Sequence, residues 1–403
     1  MNPLNIVAVP FHDWKKGQAE GFRTRDLHLL QEFQRNPLVN RLLIVNRPIS
    51  IAEMLILKRP WIIQGGKTIY QRKRNCLTQI DEKSFVLDML VPQILRPLIA
   101  RRRWISRAYS EQSTGHAVLE ALAHLAIEKY VLFLASPLPI PLYRQLSPTM
   151  LVVDAIDNLT KIAHFNKIRA ELFDYYEEIR KQATIIFTNS HEMKTWLSQA
   201  REKVIYIPNG VDFRHFRSTS GTVPKDLLSI KRPIVGYAGK MQQMFDVEML
   251  SAVAEALPHI TFVCIGQQLD PRWMKPLWKY SNIHYLGDKH YNFLPDYLSH
   301  FDICIIPYKL ETQHGGDPIK FYEYLAMNKP VITTDIGGVS TFRHLPQVKI
   351  INDTAEFISA IHDYLDVLQR GKLQPTVLPI EVLWSTKADM MLKMIKEKLS
   401  GNE

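Results

Sequence analysis

Short apolar runs alternate with amphipathic stretches along this chain, and that alternation constrains its fold more than any other feature. Ile6–Val9, Leu42–Val45, Tyr130–Leu134, Leu151–Val153, Ile185–Thr188 and Val204–Ile207 mark the first half. Ile234–Gly236, Thr261–Ile265, Ile283–Tyr285, Ile303–Ile306, Val331–Thr333 and Val348–Ile351 mark the second. Runs this short and this continuously apolar suit strands covered on both faces. Helical patterns lie between them. Thr24 precedes a segment with Leu27, Leu30 and Phe33 on one face. Asp246 precedes Val247, Leu250, Val253 and Leu257, stopped by Pro258. Strand–helix alternation predicts an α/β fold of parallel sheets flanked by helices. One sheet would have to hold too many strands, and Pro208-Asn209-Gly210 is a turn signal. The predicted division is residues 1–207, residues 208–380 and a final helix over 381–403. Two doubly wound, Rossmann-like domains facing each other would make a cleft, with ligands beyond the carboxyl ends of the strands. With 403 residues, 46% of them hydrophobic, there is enough chain for two cores.

Cys264 and Cys304 fall in two of the apolar runs and read as core, and the three cysteines have no metal-ligand spacing. This usage suits a reducing cytoplasm. The opening Leu4-Asn5-Ile6-Val7-Ala8-Val9 reads as a strand rather than a signal peptide. No apolar run reaches the ~18 residues of a transmembrane helix.

The net charge of +10 favours anionic partners. Arg96, Arg101, Arg102, Arg103 and Arg107 are interleaved with Leu98, Ile99, Trp104 and Ile105, and Gln71-Arg72-Lys73-Arg74 adds a second basic cluster. The mix fits a solvated basic face or an anionic membrane surface, with Trp104 inserted and the arginines at head groups. No zinc-finger or RNA-recognition motif supports nucleic acid as the partner.

The segment from Gly315 to Thr334 is the richest in chemistry. It reads as a Gly315-Gly316 turn, a helix and a buried strand. Asp317 is placed as N-cap and Pro318 at the first helical position, with Ile319 and Lys320 following. Lys320 and Glu323 are three apart and so neighbours on the helix, either as an ion pair or as separate ligand contacts. Asn328 can end the helix in the left-handed conformation, and Pro330 prevents continuation. A helix start behind a glycine turn suits a phosphate. Gly236-Tyr237-Ala238-Gly239-Lys240 places a second cation after a strand, suited to a diphosphate or simply a surface lysine. Asp154 and Asp157 follow another strand, where either could act as base or orienting group on a hydroxyl; Asp157 could equally cap a helix.

Pro318-x-Lys320-x-x-Glu323-Tyr324-x-Ala326 followed by Lys329-Pro330-Val331 resembles the nucleotide-binding helix of GT-B glycosyltransferases near the family 4 type. Ile207–Asp212, Pro233–Lys240, Leu286-Gly287, Leu294–Leu298 and Phe301–Tyr308 continue the resemblance in order. Phe245–Leu250 and Asp154-x-x-Asp157 resemble the branch that builds cell-envelope, teichuronic-acid-type polysaccharides. The likeness is strong from about Ile207 to Gly338. The tail around Trp384 resembles the final helix that returns to the first domain.

The resemblance implies a transferase moving a sugar from a UDP- or GDP-sugar to a glycan or lipid-linked acceptor, with retention at the anomeric carbon. It implies no added cofactor, and the nucleotide sugar enters as substrate. Glu323 matches the glutamate expected on the ribose, and Gly315 stands where the family carries another. Lys240 stands where an arginine is common, and Phe245 where a second lysine would be. Gly17, Gly21 and Arg25, after the first strand, look like the loop that approaches the diphosphate from the acceptor side. The cytoplasm, with peripheral contact at the inner membrane face, is the expected setting. An epimerase or hydrolase on the same scaffold, or a binding protein without catalysis, is the alternative.

Overall fold

In the computed structural model, residues 3–58, 60–91, 99–100, 103–198, 203–312, 316–375 and 377–401 are described. The chain divides into two units, Met1–Ile207 with Ser385–Glu403, and Pro208–Trp384.

The first unit is built on a 10-stranded sheet. Its strands are β1 Leu4–Val9, β2 Val39–Val45, β3 Ile49–Ser50, β4 Lys67–Arg72, β5 Asn75–Gln79, β6 Ser84–Val91, β7 Val131–Leu134, β8 Met150–Asp154, β9 Ile185–Thr188 and β10 Val204–Tyr206. The order β10-β9-β8-β7-β1-β2-β6 is parallel throughout. An antiparallel extension, β6-β5-β4, finishes the sheet, and β3 pairs with the end of β6. No strand is expected from the sequence between residues 46 and 129, so β3 to β6 are additions. Lys67–Arg72 is mostly exposed and has no apolar run. In β6 the apolar run is broken by Asp88, which is fully buried because Lys15 Nζ (2.5 Å), Asn46 Nδ2 (2.7 Å) and the Ile63 N–H (2.9 Å) all donate to it. The basic Lys73-Arg74 pair turns the β4–β5 hairpin, with Lys73 at φ 53°.

The glycine-containing stretch after β1 is a helix, not the expected loop. Asp13 caps α1 (Trp14–Glu20) by accepting from the Lys16 N–H, and Gly21 closes it at φ 88°. A Cβ on Gly17 would meet Phe22 and Leu27 side-chain carbons at 2.7 and 2.8 Å. Both glycines are thus used by the chain's own packing. Helix α2 (Arg25–Arg35) follows, burying Leu27, Leu30 and Phe33.

The second unit has a 6-stranded parallel sheet, β11 Ile234–Ala238, β12 Thr261–Ile265, β13 Ile283–Tyr285, β14 Ile303–Ile306, β15 Val331–Thr333 and β16 Val348–Ile350. Its order is β13-β12-β11-β14-β15-β16, so the winding reverses between β11 and β14. In doubly wound sheets that switch point opens the ligand crevice. Helix α3 (Ile319–Ala326) leads into β15. It ends as expected, with Asn328 at φ 54°. Helix α4 (Trp384–Ser400) closes the chain, and from Ser385 on it belongs to the first unit.

Candidate functional site

In the second unit the structure gathers Gly239, Lys240, Tyr308 and Lys320 at the switch point. Gly239 and Lys240 follow β11, Tyr308 follows β14, and Lys320 lies in the first turn of α3. The Lys320 ammonium donates to the Tyr308 hydroxyl at 2.7 Å. It stands 5.4 Å from the Tyr237 ring centroid and 5.1 Å from that of Tyr308. Such ring faces attract a cation. The two tyrosine hydroxyls are 2.9 Å apart, and Tyr237 donates to the Lys240 carbonyl at 2.7 Å. Burial, with Tyr308 beside it, pushes the Tyr237 phenol well above its ordinary value, so it stays a neutral donor.

Gly239 is the platform under this lysine. A Cβ there would lie 2.3 Å from Lys320 Cε. The neighbouring loop is as tight, since a Cβ on Gly266 would lie 2.0 Å from the Gly239 carbonyl oxygen. Only glycines let the two loops and the lysine approach so closely.

Asp317 is not the N-cap expected of it. Pro318 holds that position, α3 starts at Ile319, and no side chain caps it. Asp317 is buried, accepting from the Asn209 N–H at 2.6 Å and from the Tyr322 hydroxyl at 2.9 Å. The Asn209 amide also donates to the Asp317 carbonyl. The segment that opens this unit is thereby fastened to the start of α3. Gly316 is half-buried, and Gly337, at φ 55°, passes so close that a Cβ would meet the Asp317 Cα at 2.9 Å. Gly315 lies outside the described residues.

Glu323 is 6% exposed and accepts from the Tyr291 hydroxyl at 2.8 Å, a buried position where an exposed helix face is expected. Tyr291 stacks on His215 with ring centroids 4.5 Å apart and 11° between planes. Burial lowers the His215 pKa. Lys320 and Glu323 turn to different tyrosines.

In the first unit Arg25 and Asp154 are brought together. Arg25 Nε donates to Asp154 Oδ2 at 2.8 Å and Nη2 to Oδ1 at 3.0 Å, and Nη1 reaches the Ile207 carbonyl at 2.9 Å. Arg25 is 2% exposed and Asp154 0%. A phosphate-facing Arg25 and a solvent-facing base at Asp154 are therefore not what the structure shows, because each neutralises the other inside the core. Asp157 is half-buried and caps no helix, since the next helical turn is headed by Ile162. Burial raises its carboxyl pKa, against the lowering influence of His12 and Arg25.

His12 and Asp26 are missing from the sequence reading. The His12 N–H donates to Asp26 Oδ2 at 2.7 Å, its ring Nδ1 is 3.2 Å from Oδ1, and the Thr24 hydroxyl donates to Oδ1 at 2.6 Å. Burial pushes the Asp26 carboxyl up, but His12 and Thr24 outweigh it and bring it down to about 2. No local pattern marks this pair, since its members lie on different elements.

The basic, tryptophan-containing segment departs from expectation. Trp104 is 2% exposed and packs with Val91 and Ala108, so it is a core residue rather than a membrane anchor. Arg103 is exposed, while Arg96, Arg101 and Arg102 lie outside the described residues. Among the described residues no helix is long and apolar enough to cross a membrane.

Residues 232–366, which span the switch point, Lys320 and Glu323, match the model of the glycosyl transferases group 1 family. That stretch is similar to group 1 glycosyl transferases. A 154-residue stretch is 29% identical to the putative teichuronic acid biosynthesis glycosyltransferase TuaH of Bacillus subtilis (strain 168). That match spans 37% of this chain and 38% of that protein's length. The fold is GT-B, with solved glycosyltransferase structures among its neighbours. Sucrose-phosphate synthase of Thermosynechococcus elongatus superposes with a TM-score of 0.68 at 14% identity, over 99% of this chain and 100% of that one. Anabaena HepE in complex with UDP-glucose gives 0.60 at 14% identity, over 99% of each chain. The matched stretch makes up most of the second unit.

Proposed function

We propose that this chain is a glycosyltransferase that moves a sugar from a nucleoside diphosphate sugar to a glycan or lipid-linked acceptor in cell-envelope or extracellular polysaccharide synthesis. The observation that carries this is Lys320, held over Gly239 by two tyrosines at the switch point of the sheet. A lysine fixed there, with the start of α3 beside it, meets the charge of a departing diphosphate.

In this reading Lys320 and Lys240 contact the diphosphate, with Gly239 and the segment Gly315, Gly316, Asp317, Pro318 and Ile319 shaping its bed. Glu323 receives a ribose hydroxyl. On the acceptor side Asp157 orients a hydroxyl, and Gly17 and Gly21 shape the helix after β1. UDP is the favoured base, since HepE is described with UDP-glucose. TuaH's name points to an acidic envelope polymer. Retention at the anomeric carbon belongs to the same proposal, as does operation without an added cofactor. The proposed setting is the cytoplasm, at the inner membrane face where a lipid-linked acceptor is met. An epimerase or hydrolase would use the same fold; the group 1 match favours transfer.

The test is a thermal-shift panel with UDP, GDP, ADP and CDP on wild type and Lys320→Ala. A nucleotide at 100 times its dissociation constant stabilises by about 2.7 kcal/mol. The expected result is a shift with one nucleotide that is lost in the variant. Absence of any shift, or one unchanged in Lys320→Ala, would sink the site.

A further inference from the structure

A pocket in the second unit is lined by none of the donor-site residues described above. It has a volume of about 520 Å³ and lies between the helical turns Pro271–Lys279 and the edge strand β13. Small-molecule sites occupy ~300–1,000 Å³. Its lining combines two kinds of group. Trp278 and Tyr285 stack with centroids 5.3 Å apart and 29° between planes, and Tyr285 is 39% exposed. Arg272 and Lys275 stand on the adjacent turn, both exposed and without an ion pair among the described residues. Gln268 adds an amide.

We infer that this pocket binds an acidic saccharide, a sugar ring carrying a carboxylate, as a unit of an anionic glycan. The apolar face of a sugar ring suits an aromatic surface. A planar guanidinium matches a carboxylate in two-pronged fashion, and a lysine beside it adds a point charge. Two cations without an ion pair, beside a stacked aromatic pair, can meet an anionic, ring-shaped ligand at both its charge and its ring face. A polynucleotide would need a cation for each of several phosphates, and two at the wall do not make that track.

The pocket is joined to the donor residues through the backbone. The Tyr285 hydroxyl donates to the Gly266 carbonyl at 3.0 Å, and Gly266 lies against Gly239, the platform of Lys320. A glycan held here would sit in register with the loops that shape the diphosphate bed. The site would hold a chain being extended, or a finished product, rather than the donor. Saccharide binding stands whether or not the donor site takes a nucleotide.

The experiment is titration calorimetry of the full chain with three probes. They are a hyaluronan hexasaccharide, which carries glucuronate, neutral maltohexaose, and poly(U). The hyaluronan fragment should bind at least 10-fold more tightly than maltohexaose, and poly(U) should bind more weakly than either. Arg272→Gln with Lys275→Gln, both on exposed positions, should weaken the acidic fragment at least 10-fold while leaving any thermal shift by UDP unchanged. Trp278→Ala should weaken it similarly, and the charge variants keep the test sound if that substitution unsettles the fold. Equal binding of the neutral and acidic probes, preference for poly(U), or undiminished binding in the charge variants overturns the proposal. So does loss of a wild-type UDP shift in those variants, which would assign the pocket to the nucleotide.

Discussion

Lys320 donates to Tyr308 at 2.7 Å, and the chain of hydrogen bonds then runs one way, from the Tyr308 hydroxyl to that of Tyr237 and on to the Lys240 carbonyl. Each hydroxyl both accepts and donates, so the lysine is aimed before any ligand arrives. Tyr308→Phe keeps the ring under the ammonium and removes only the hydroxyl. A net hydrogen bond is worth ~0.5–1.5 kcal/mol, so nucleotide affinity should fall about 2- to 10-fold, with the melting temperature little changed. Calorimetric titration with UDP checks it. Unchanged affinity would mean that the tyrosine does not position the lysine.

Gly239 gives an independent handle on the same lysine. Gly239→Ala puts a methyl group where Lys320 Cε now lies. The lysine is the flexible partner and should swing away. The φ of 158° at Gly239 adds some backbone strain, so the variant should fold with a modestly lowered melting temperature and lose the nucleotide-induced thermal shift as fully as Lys320→Ala does. Gly266→Ala should cost more, because its Cβ meets the fixed Gly239 backbone rather than the end of a flexible side chain. Strain of ~1–3 kcal/mol is expected there, read as a lowered melting temperature without ligand.

The buried Arg25–Asp154 pair separates a structural role from a catalytic one. Asp154→Ala leaves a guanidinium uncompensated in the core, a change that costs ~3–5 kcal/mol. Chemical denaturation should show that loss directly. A general base at this position would instead lose turnover at nearly unchanged stability.

Acid unfolding should report Asp26. Its carboxyl is brought from 3.8 to about 2 in the fold. A lowered folded-state pKa means stability that is present above the unfolded value, near 4, and lost as pH falls toward 2. The contribution is about 2 kcal/mol. Denaturation midpoints between pH 5 and pH 2 should therefore fall less steeply in Asp26→Asn than in wild type. Identical slopes would remove Asp26 from the account.

The parallel strands were legible because both their faces are covered, leaving apolar runs such as Val131–Leu134 and Ile303–Ile306. The β4–β5 hairpin was not, since its outer strand Lys67–Arg72 carries no buried run. Asp88 hid β6, because a carboxylate in a core strand makes sense only with Lys15 and Asn46 around it. Gly17 and Gly21 suggested a loop, and Asp13 as cap made it a helix. At the site, Lys320 and Glu323 were readable from local spacing. Tyr237, Tyr308 and Tyr291 were not, because a tyrosine's partner 71 or 32 positions away leaves no mark in a local pattern.

Glu323 is the sharpest remaining test of the nucleotide reading. Its carboxylate is 6% exposed and already accepts from Tyr291, so the fold bears the cost of burying the group. Glu323→Gln keeps an oxygen for Tyr291 and removes the charge that would receive a ribose hydroxyl. A hydrogen bond to a charged group is worth ~1.5–3 kcal/mol, so UDP should bind about 10- to 150-fold more weakly. Wild type should prefer UDP over its 2′- or 3′-deoxy analogue, according to which hydroxyl Glu323 meets, and Glu323→Gln should lose that preference. Inorganic pyrophosphate, which has no ribose, should bind both proteins alike. If both proteins preferred UDP over both analogues to the same degree, the ribose contact would belong to another residue, and Glu323 would be a core carboxylate that holds Tyr291 against His215.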